Sequence, residues 1–231
     1  EKYVVPRIPN IMAVTPNIKD ATANMTNSRI YSVPNGIDLR DMQSVQPEPA
    51  RHSSILFVGN LLKEKSADLL LKAIPIVKES LPNLSVFIAG LGPEERKLRR
   101  FVKELDIEQN VRFLGFISGD EKYSYYKSAD ICVFPSTVNP YGVVVLEAMA
   151  SGTPIIASNT DGDPFGLKDG EEVLLFESGN VNDLAKKIST LLLNRELRQK
   201  MSEQAREKVK MFTWDKIAER TLEVYKQVIS G

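Results

Sequence analysis

Asn139-Pro-Tyr-Gly-Val-Val-Val-Leu-Glu147-Ala-Met-Ala-Ser-Gly-Thr-Pro-Ile-Ile-Ala-Ser158 reads as a loop, a short helix over 143–151, a Gly-Thr-Pro turn and a buried strand. Val143, Val144, Val145, Leu146, Ala148, Met149 and Ala150 leave that helix no polar face to turn toward water. A helix of this kind running straight into an apolar strand fits a sheet covered on both sides. Glu147 is its one carboxylate, with Val143 and Val144 a turn before it and Ala150 and Ser151 a turn after. Buried there, the carboxylate needs hydrogen-bond donors, or it bears a heavy desolvation cost. Either a ligand rich in hydroxyls supplies them, or Glu147 lies at the helix margin and reaches solvent.

The same pattern extends outward along the chain. Ile55-Leu-Phe-Val58, Ser85-Val-Phe-Ile-Ala89, Val111-Arg-Phe-Leu114, Ile131-Cys-Val-Phe134 and Pro154-Ile-Ile-Ala157 are near-continuous apolar runs, as buried parallel strands require. Helical patterns lie between them at 66–80, 94–105, 119–129 and 143–151. Such alternation predicts an α/β fold, a doubly wound parallel sheet of Rossmann-like form. Val173-Leu-Leu-Phe176 adds a last strand, and three helices follow at 181–193, 195–210 and 214–229. In the last, Trp214, Ile217, Ala218, Leu222, Tyr225 and Val228 recur at helical spacing and read as packing surface.

The first forty residues differ. Ile11-Met-Ala-Val14 and Arg29-Ile-Tyr-Ser-Val33 read as strands around a weak helix, and one such unit cannot bury its own core. The division expected is a tail of an absent N-terminal domain over 1–40 and a linker over 41–53. A Rossmann-like domain over 54–213 and a C-terminal helix over 214–231 follow.

Acidic and basic residues balance at 30 each, which argues against a nucleic-acid surface. The single cysteine, Cys132, sits in an apolar strand and reads as core filler. One thiol forms no internal disulfide, so a reducing cytoplasm is expected. No run approaches the length of a membrane span. The lone His52 falls in the linker, so a Ser-His-Asp site has no placed base.

In open α/β sheets, ligands gather at the carboxyl ends of the strands, and four segments fall there. Gly59-Asn-Leu-Leu-Lys63-Glu-Lys65-Ser66 joins a strand to a helix, with Ser66 as a candidate N-cap. Lysines beside a helix start make an anion site or a solvated basic turn. Gly90-Leu-Gly-Pro93 is a tight turn through which a ligand can approach backbone, although Glu95 spoils a dinucleotide fingerprint. Gly115-Phe-Ile117 offers apolar walls, and Gly142 opens the helix at 143 to a phosphate. Asp161-Gly-Asp163 resembles a metal-binding acid pair but reads better as turn chemistry, so no metal site is expected.

Taken in order, these residues resemble a known family. Ile11-Met-Ala-Val14, Val33-Pro-Asn-Gly-Ile-Asp38, Phe57-Val-Gly-Asn-Leu61 with Lys65, and Phe87-Ile-Ala-Gly-Leu-Gly-Pro93 open the match. Val111-Arg-Phe-Leu-Gly-Phe116, Ala129-Asp-Ile-Cys-Val-Phe-Pro-Ser136, Pro140-Tyr-Gly and Ile155-Ile-Ala-Ser158 continue it. The chain is similar to the C-terminal, donor-binding half of retaining glycosyltransferases of family 4, which pair two Rossmann-like domains in a GT-B-type fold. The resemblance implies that Glu147 binds the ribose hydroxyls and that Lys65 neutralises the diphosphate leaving group. Gly142 and Val143 then meet the phosphates through backbone amides, and Phe116 and Ile117 hold the base. Gly59, Asn60 and Gly90 complete the donor site. Lys65 and Asn139 stand at the catalytic positions.

Four departures mark this chain. Asn139 stands where a first glutamate would contact the sugar, and Asn60 where an arginine would help hold the diphosphate. Ser66 replaces a glycine, and Asp163 and Phe165 interrupt a glycine-rich loop. The resemblance implies sugar transfer from a nucleoside diphosphate donor, without a metal cofactor. The acceptor (a glycan, a lipid or a small molecule) would be held by an absent N-terminal domain, with peripheral membrane association of the whole protein. The alternative is a nucleotide-binding or partner module without turnover.

Overall fold

Each strand of the main sheet divides its side chains between two cores, and this division builds the fold. The structure is a computed structural model that describes residues 8–42, 44–47, 53–138, 141–160 and 163–230. Six strands run in the order β5-β4-β3-β6-β7-β8: β3 (Ser54–Val58), β4 (Ser85–Ala89), β5 (Val111–Gly115), β6 (Ile131–Phe134), β7 (Ile155–Asn159) and β8 (Val173–Glu177). Every pairing is parallel. Ile55, Phe57, Val86, Ile88, Ile131, Val133, Ile156, Leu174 and Phe176 enter one core. Their neighbours Leu56, Phe87, Cys132, Phe134, Ile155, Ala157 and Val173 enter the other. Successive strand residues face opposite ways, so strands apolar at every position need helices on both sides.

Helices meet that need. α2 (Ala67–Lys78), α3 (Glu95–Glu104) and α6 (Val181–Leu193) cover the first core with Leu70, Leu98 and Ile188. α4 (Gly119–Ser128) and α5 (Val143–Ser151) cover the second with Tyr126 and Leu146. α7 (Arg195–Val209) reaches both, placing Met201 in one and Ala205 and Val209 in the other. Gly152 ends α5 at φ 75°, the left-handed turn that the Gly-Thr-Pro segment foreshadows. The doubly wound parallel sheet expected from the sequence is the one observed.

Strand order reverses at one place. The chain steps from β3 outward to β5, then returns to lay β6 on the other side of β3. Ile55 and Leu56 pair there with Ile131 and Cys132. The Asp130 carboxylate fixes the register by accepting from the Ser54 N–H at 2.9 Å and the Ser54 hydroxyl at 3.0 Å. Such a switch point leaves a crevice beyond the strand ends.

The N-terminal strands pair in parallel as β1 (Asn10–Ala13) and β2 (Arg29–Ser32), joined by α1 (Pro16–Ala23). The residues after them do not stand apart from the main body. Val33 and Ile37 are buried in the second core, and the Ile37 N–H donates to the Phe212 carbonyl at 2.9 Å. Part of the segment expected as a linker is also held down. Met42 and Val45 are buried, the Gln46 carbonyl accepts from Ser124, and the Val45 carbonyl accepts from Lys127. His52 lies outside the described residues.

The last helix is α8 (Trp214–Ser230). Only Ile217 of its apolar stripe is buried, while Trp214, Leu222 and Tyr225 are each more than half exposed. The helical spacing was right but the stripe is wider than the surface it meets. Among the described residues, no helix is long and apolar enough to cross a membrane.

Candidate functional site

The switch-point crevice is a cleft of about 260 Å³. From β3 and its loop come Phe57, Val58, Gly59, Asn60 and Lys65; from β6 come Phe134, Pro135 and Ser136; from the start of α5 come Gly142, Val143 and Val144. Five residues expected at the site from sequence therefore share one cavity: Gly59, Asn60, Lys65, Gly142 and Val143. Gly90, Phe116, Ile117 and Glu147 lie outside that lining. Asn139 lies outside the described residues.

Backbone contacts hold the cleft walls in place. The Glu64 carbonyl accepts from the Ser136 hydroxyl at 2.8 Å and the Thr137 N–H at 3.2 Å, tying the β3 loop to the β6 loop. Lys65 ends a short 3-10 helix, Lys63–Lys65, and Lys63 is exposed away from the lining. Ser66 occupies the N-cap position of α2 but does not cap it. Its φ of 52° is left-handed, and its hydroxyl turns back to the Lys63 and Glu64 carbonyls at 3.4 Å each. Glycine adopts that conformation more readily than serine.

Across the cleft, α5 begins at Gly142, which is extended and gives no side-chain cap. The first N–H groups of a helix have no partner within it. The macrodipole there adds partial positive charge. With Lys65 on the facing wall, the cleft presents an ammonium and a helix start to one volume, which suits an anion.

Gly90 serves the chain's own packing. Its φ is 141°, and a Cβ there would stand 1.9 Å from the Gly59 carbonyl oxygen. The close approach expected of a ligand at this turn is made by the β3 loop. Gly92 repeats the arrangement, with a Cβ 2.4 Å from the Leu61 carbonyl oxygen. Phe116 is 73% exposed just past β5, while Ile117 beside it is buried. Only one of the two apolar walls thus faces solvent.

Glu147 is 6% exposed, so it does not reach bulk water. Neither does it wait for a ligand to supply donors, and this corrects the sequence expectation. Lys122 Nζ lies 2.6 Å from Oε1, and the Tyr126 hydroxyl donates to Oε2 at 3.1 Å. Burial and the adjoining Glu147 charge hold the Tyr126 phenol far above its ordinary pKa, so it stays protonated as a donor. Burial also raises the Cys132 thiol, with Glu147 adding to the effect. Sequence reasoning passed over both donors. The available signal was their spacing: Lys122 and Tyr126 are four apart and share one face of α4, which packs on α5.

Asp161 and Gly162 lie outside the described residues. The Asp163 carboxylate accepts from the Phe165 and Leu167 N–H groups. Burial raises its pKa, and those two bonds oppose the shift. For Asp163 these bonds are turn chemistry. Among the described residues, no three His, Cys, Asp or Glu side chains gather as a metal site would require.

Comparison with known proteins identifies the family and the fold. A family model described as glycosyl transferases group 1 matches residues 40–208. An uncharacterized glycosyltransferase of Methanocaldococcus jannaschii is 35% identical over 173 residues, covering 74% of this chain and 44% of its own length. A D-inositol 3-phosphate glycosyltransferase of Corynebacterium glutamicum is 34% identical over 189 residues, covering 79% and 45%. The chain spans about half the length of the curated relatives it matches. Among solved structures, Anabaena HepE in complex with UDP and glucose superposes with a TM-score of 0.86 at 19% identity, over 97% of this chain and 65% of that one. That likeness establishes the fold, a Rossmann-like domain of the GT-B type.

Proposed function

Because this chain belongs to the glycosyl transferases group 1 family, we propose that its cleft binds the nucleoside diphosphate of a sugar donor. The chain would supply the donor-binding half of a retaining transferase of family 4. The observation that carries this reading is the pairing of Lys65 with the uncapped start of α5 in one switch-point cleft. In sugar transfer, negative charge grows on the departing diphosphate, so catalysis is chiefly electrostatic. Lys65 and the first amides of α5 would stabilise that charge without being consumed. Gly142 lets the phosphates approach those amides closely, and Asn60 adds a neutral donor beside them. Phe116 is exposed where a base could lie against its ring, with Ile117 behind it. Glu147 would accept from the ribose hydroxyls. Asn139 would contact the transferred sugar. The acceptor, whether glycan, lipid or small molecule, belongs to the rest of the longer protein. HepE, bound to UDP and glucose on the same fold, supports the ligand class.

Calorimetry tests the reading directly. Lys65→Ala should weaken binding of UDP, GDP or ADP by about 10-fold or more, the worth of a charge-assisted contact, and leave binding of the free nucleoside unchanged. Equal losses for both ligands would contradict the role assigned to Lys65.

One observation favours a second reading, a module that binds nucleotide without turnover. Asn60 places an amide in the cleft where a guanidinium would clamp the diphosphate. Hydrolysis of labelled donor by the whole protein would exclude it.

A further inference from the structure

A hollow of about 570 Å³ lies where α7 runs through a short 3-10 turn, Lys210–Phe212, into α8. It shares no lining residue with the switch-point cleft, and its volume falls in the range of small-molecule sites. Gln204 and Lys208, one turn apart on α7, form one wall, and Lys216 and Arg220, one turn apart on α8, form another. We propose that this hollow binds a small phosphorylated polyol, with Lys208 and Arg220 holding the phosphate while Gln204 and Glu172 accept from the hydroxyls.

Four cations and two carboxylates line the hollow, in a chain whose charges balance at 30 each. The exposed cations already have partners, Lys210 with Glu207 and Lys216 with Glu219. The half-buried ones do not. Among the described residues, neither Lys208 nor Arg220 forms an ion pair, and Asp163 feels the charge of Lys208 without pairing with it. Burial makes a lone charge more costly, so this distribution is the reverse of the expected one, and an anion in the hollow would correct it. Arg220 is also held ready. Its guanidinium lies 5.4 Å from the centre of the Phe212 ring and donates to the Met211 carbonyl at 3.3 Å. The rest of its planar fork of donors remains for a phosphate.

Two other lining groups call for donors. The Gln204 Oε1 atom is buried and accepts no hydrogen bond among the described residues, whereas buried polar atoms are nearly always paired. Glu172 is 7% exposed, and its Oε2 accepts from the Lys168 N–H at 2.9 Å. A carboxylate has about four lone-pair sites, so it can take further donors. A bare phosphate ion would serve the cations, but it brings little to donate and meets Glu172 with like charge. Hydroxyls carried on the same molecule as the phosphate answer both needs.

Calorimetry on the 231-residue chain tests this with glucose 6-phosphate, inorganic phosphate and glucose. Glucose 6-phosphate should bind about 10-fold or more tightly than either of the other two. Lys208→Gln and Arg220→Lys should each weaken it by about 10-fold, with the thermal midpoint of the unliganded Lys208→Gln chain equal to that of the wild type. Gln204→Leu should remove the margin over inorganic phosphate and leave phosphate binding unchanged. Lys65→Ala, in the other cleft, should leave glucose 6-phosphate binding intact, so failure of the donor-site reading is seen separately. The same chemistry can arrive free or on a lipid. Capture by phosphatidylcholine vesicles carrying phosphatidylinositol 4-phosphate, lost in Lys208→Gln, would assign the lipid-borne form, and no capture the free one. No binding of glucose 6-phosphate, equal binding of inorganic phosphate, or an affinity unchanged by Lys208→Gln would overturn the proposal. A loss confined to Lys65→Ala would do so too, by assigning the ligand to the switch-point cleft.

Discussion

The carbonyl oxygen of Gly59 occupies the space where Gly90 would carry a side chain, 1.9 Å from the Cβ position. The loops after β3 and β4 are thereby clamped together, and the Gly59 N–H completes the contact by donating to the Ala89 carbonyl at 3.0 Å. One of those loops lines the cleft. Backbone packing between neighbouring strands therefore sets the position of Asn60 and Lys65.

Gly90→Ala should then be costly. The new methyl meets backbone, which cannot swing aside, and φ is in the left-handed half of the map. A loss of about 3 kcal/mol is expected, measured by urea denaturation, along with weakened diphosphate binding. A midpoint equal to that of the wild type would show that the loops are not clamped.

Ser66→Gly should act in the opposite sense. The left-handed φ of 52° costs a non-glycine residue about 1–2 kcal/mol, against a chain-entropy cost to glycine of about 0.5–1 kcal/mol. The hydroxyl contacts given up are long. A small net gain follows, seen as a rise of a few degrees in Tm. A fall in Tm would mean that those contacts outweigh the strain.

Tyr126→Phe removes one of the two donors to Glu147 and leaves the packing of the ring in place. The stranded oxygen should cost about 1–3 kcal/mol, read from chemical denaturation. No change would indicate that Lys122 alone satisfies the carboxylate.

Stability should fall on the alkaline side. Burial, with help from Asp163 and Asp169, pushes the Tyr141 phenol up to about 12. An unfolded chain releases that proton near the ordinary value of about 10. The stabilising contribution is thus complete below about pH 10 and is lost as pH rises through about 12. Tyr141→Phe should make this limb shallower without flattening it, because Tyr126 and Cys132 are raised as well. An unchanged limb in thermal melts across this range would contradict the assignment.

Along α8, Ile217→Ala should cost about 2–5 kcal/mol, as for other buried aliphatic truncations. Leu222→Ala should change stability by no more than about 0.5 kcal/mol, because the side chain is half exposed. Equal effects at the two positions would show that the whole stripe is packed.

The sheet was legible in the sequence because its strands are apolar at nearly every position, a pattern only a doubly covered parallel sheet tolerates. Gly59, Lys65 and Gly142 all lie in the segments that follow β3 and β6, an edge of the sheet the sequence already marks, and the structure brings them to one cleft. What escaped was pairing between distant elements. Glu147 announced a need for donors, but nothing local says whether Lys122, Tyr126, solvent or a ligand meets it. The stripe on α8 shows the same limit, since spacing gives a face and not the surface that covers it. Gly90 looked open to a ligand because its neighbour in space, Gly59, is thirty-one positions away in sequence.

β3 and β6 flank the cleft, yet Ser54 and Asp130, which join them, are 76 residues apart in sequence. Closing so long a loop is slow and gives little return until the strands pair. The two walls of the cleft come together only when the central pairing of β3 with β6 is made. A diphosphate would thus bind the finished domain alone, raising its thermal midpoint by mass action while leaving the folding rate untouched.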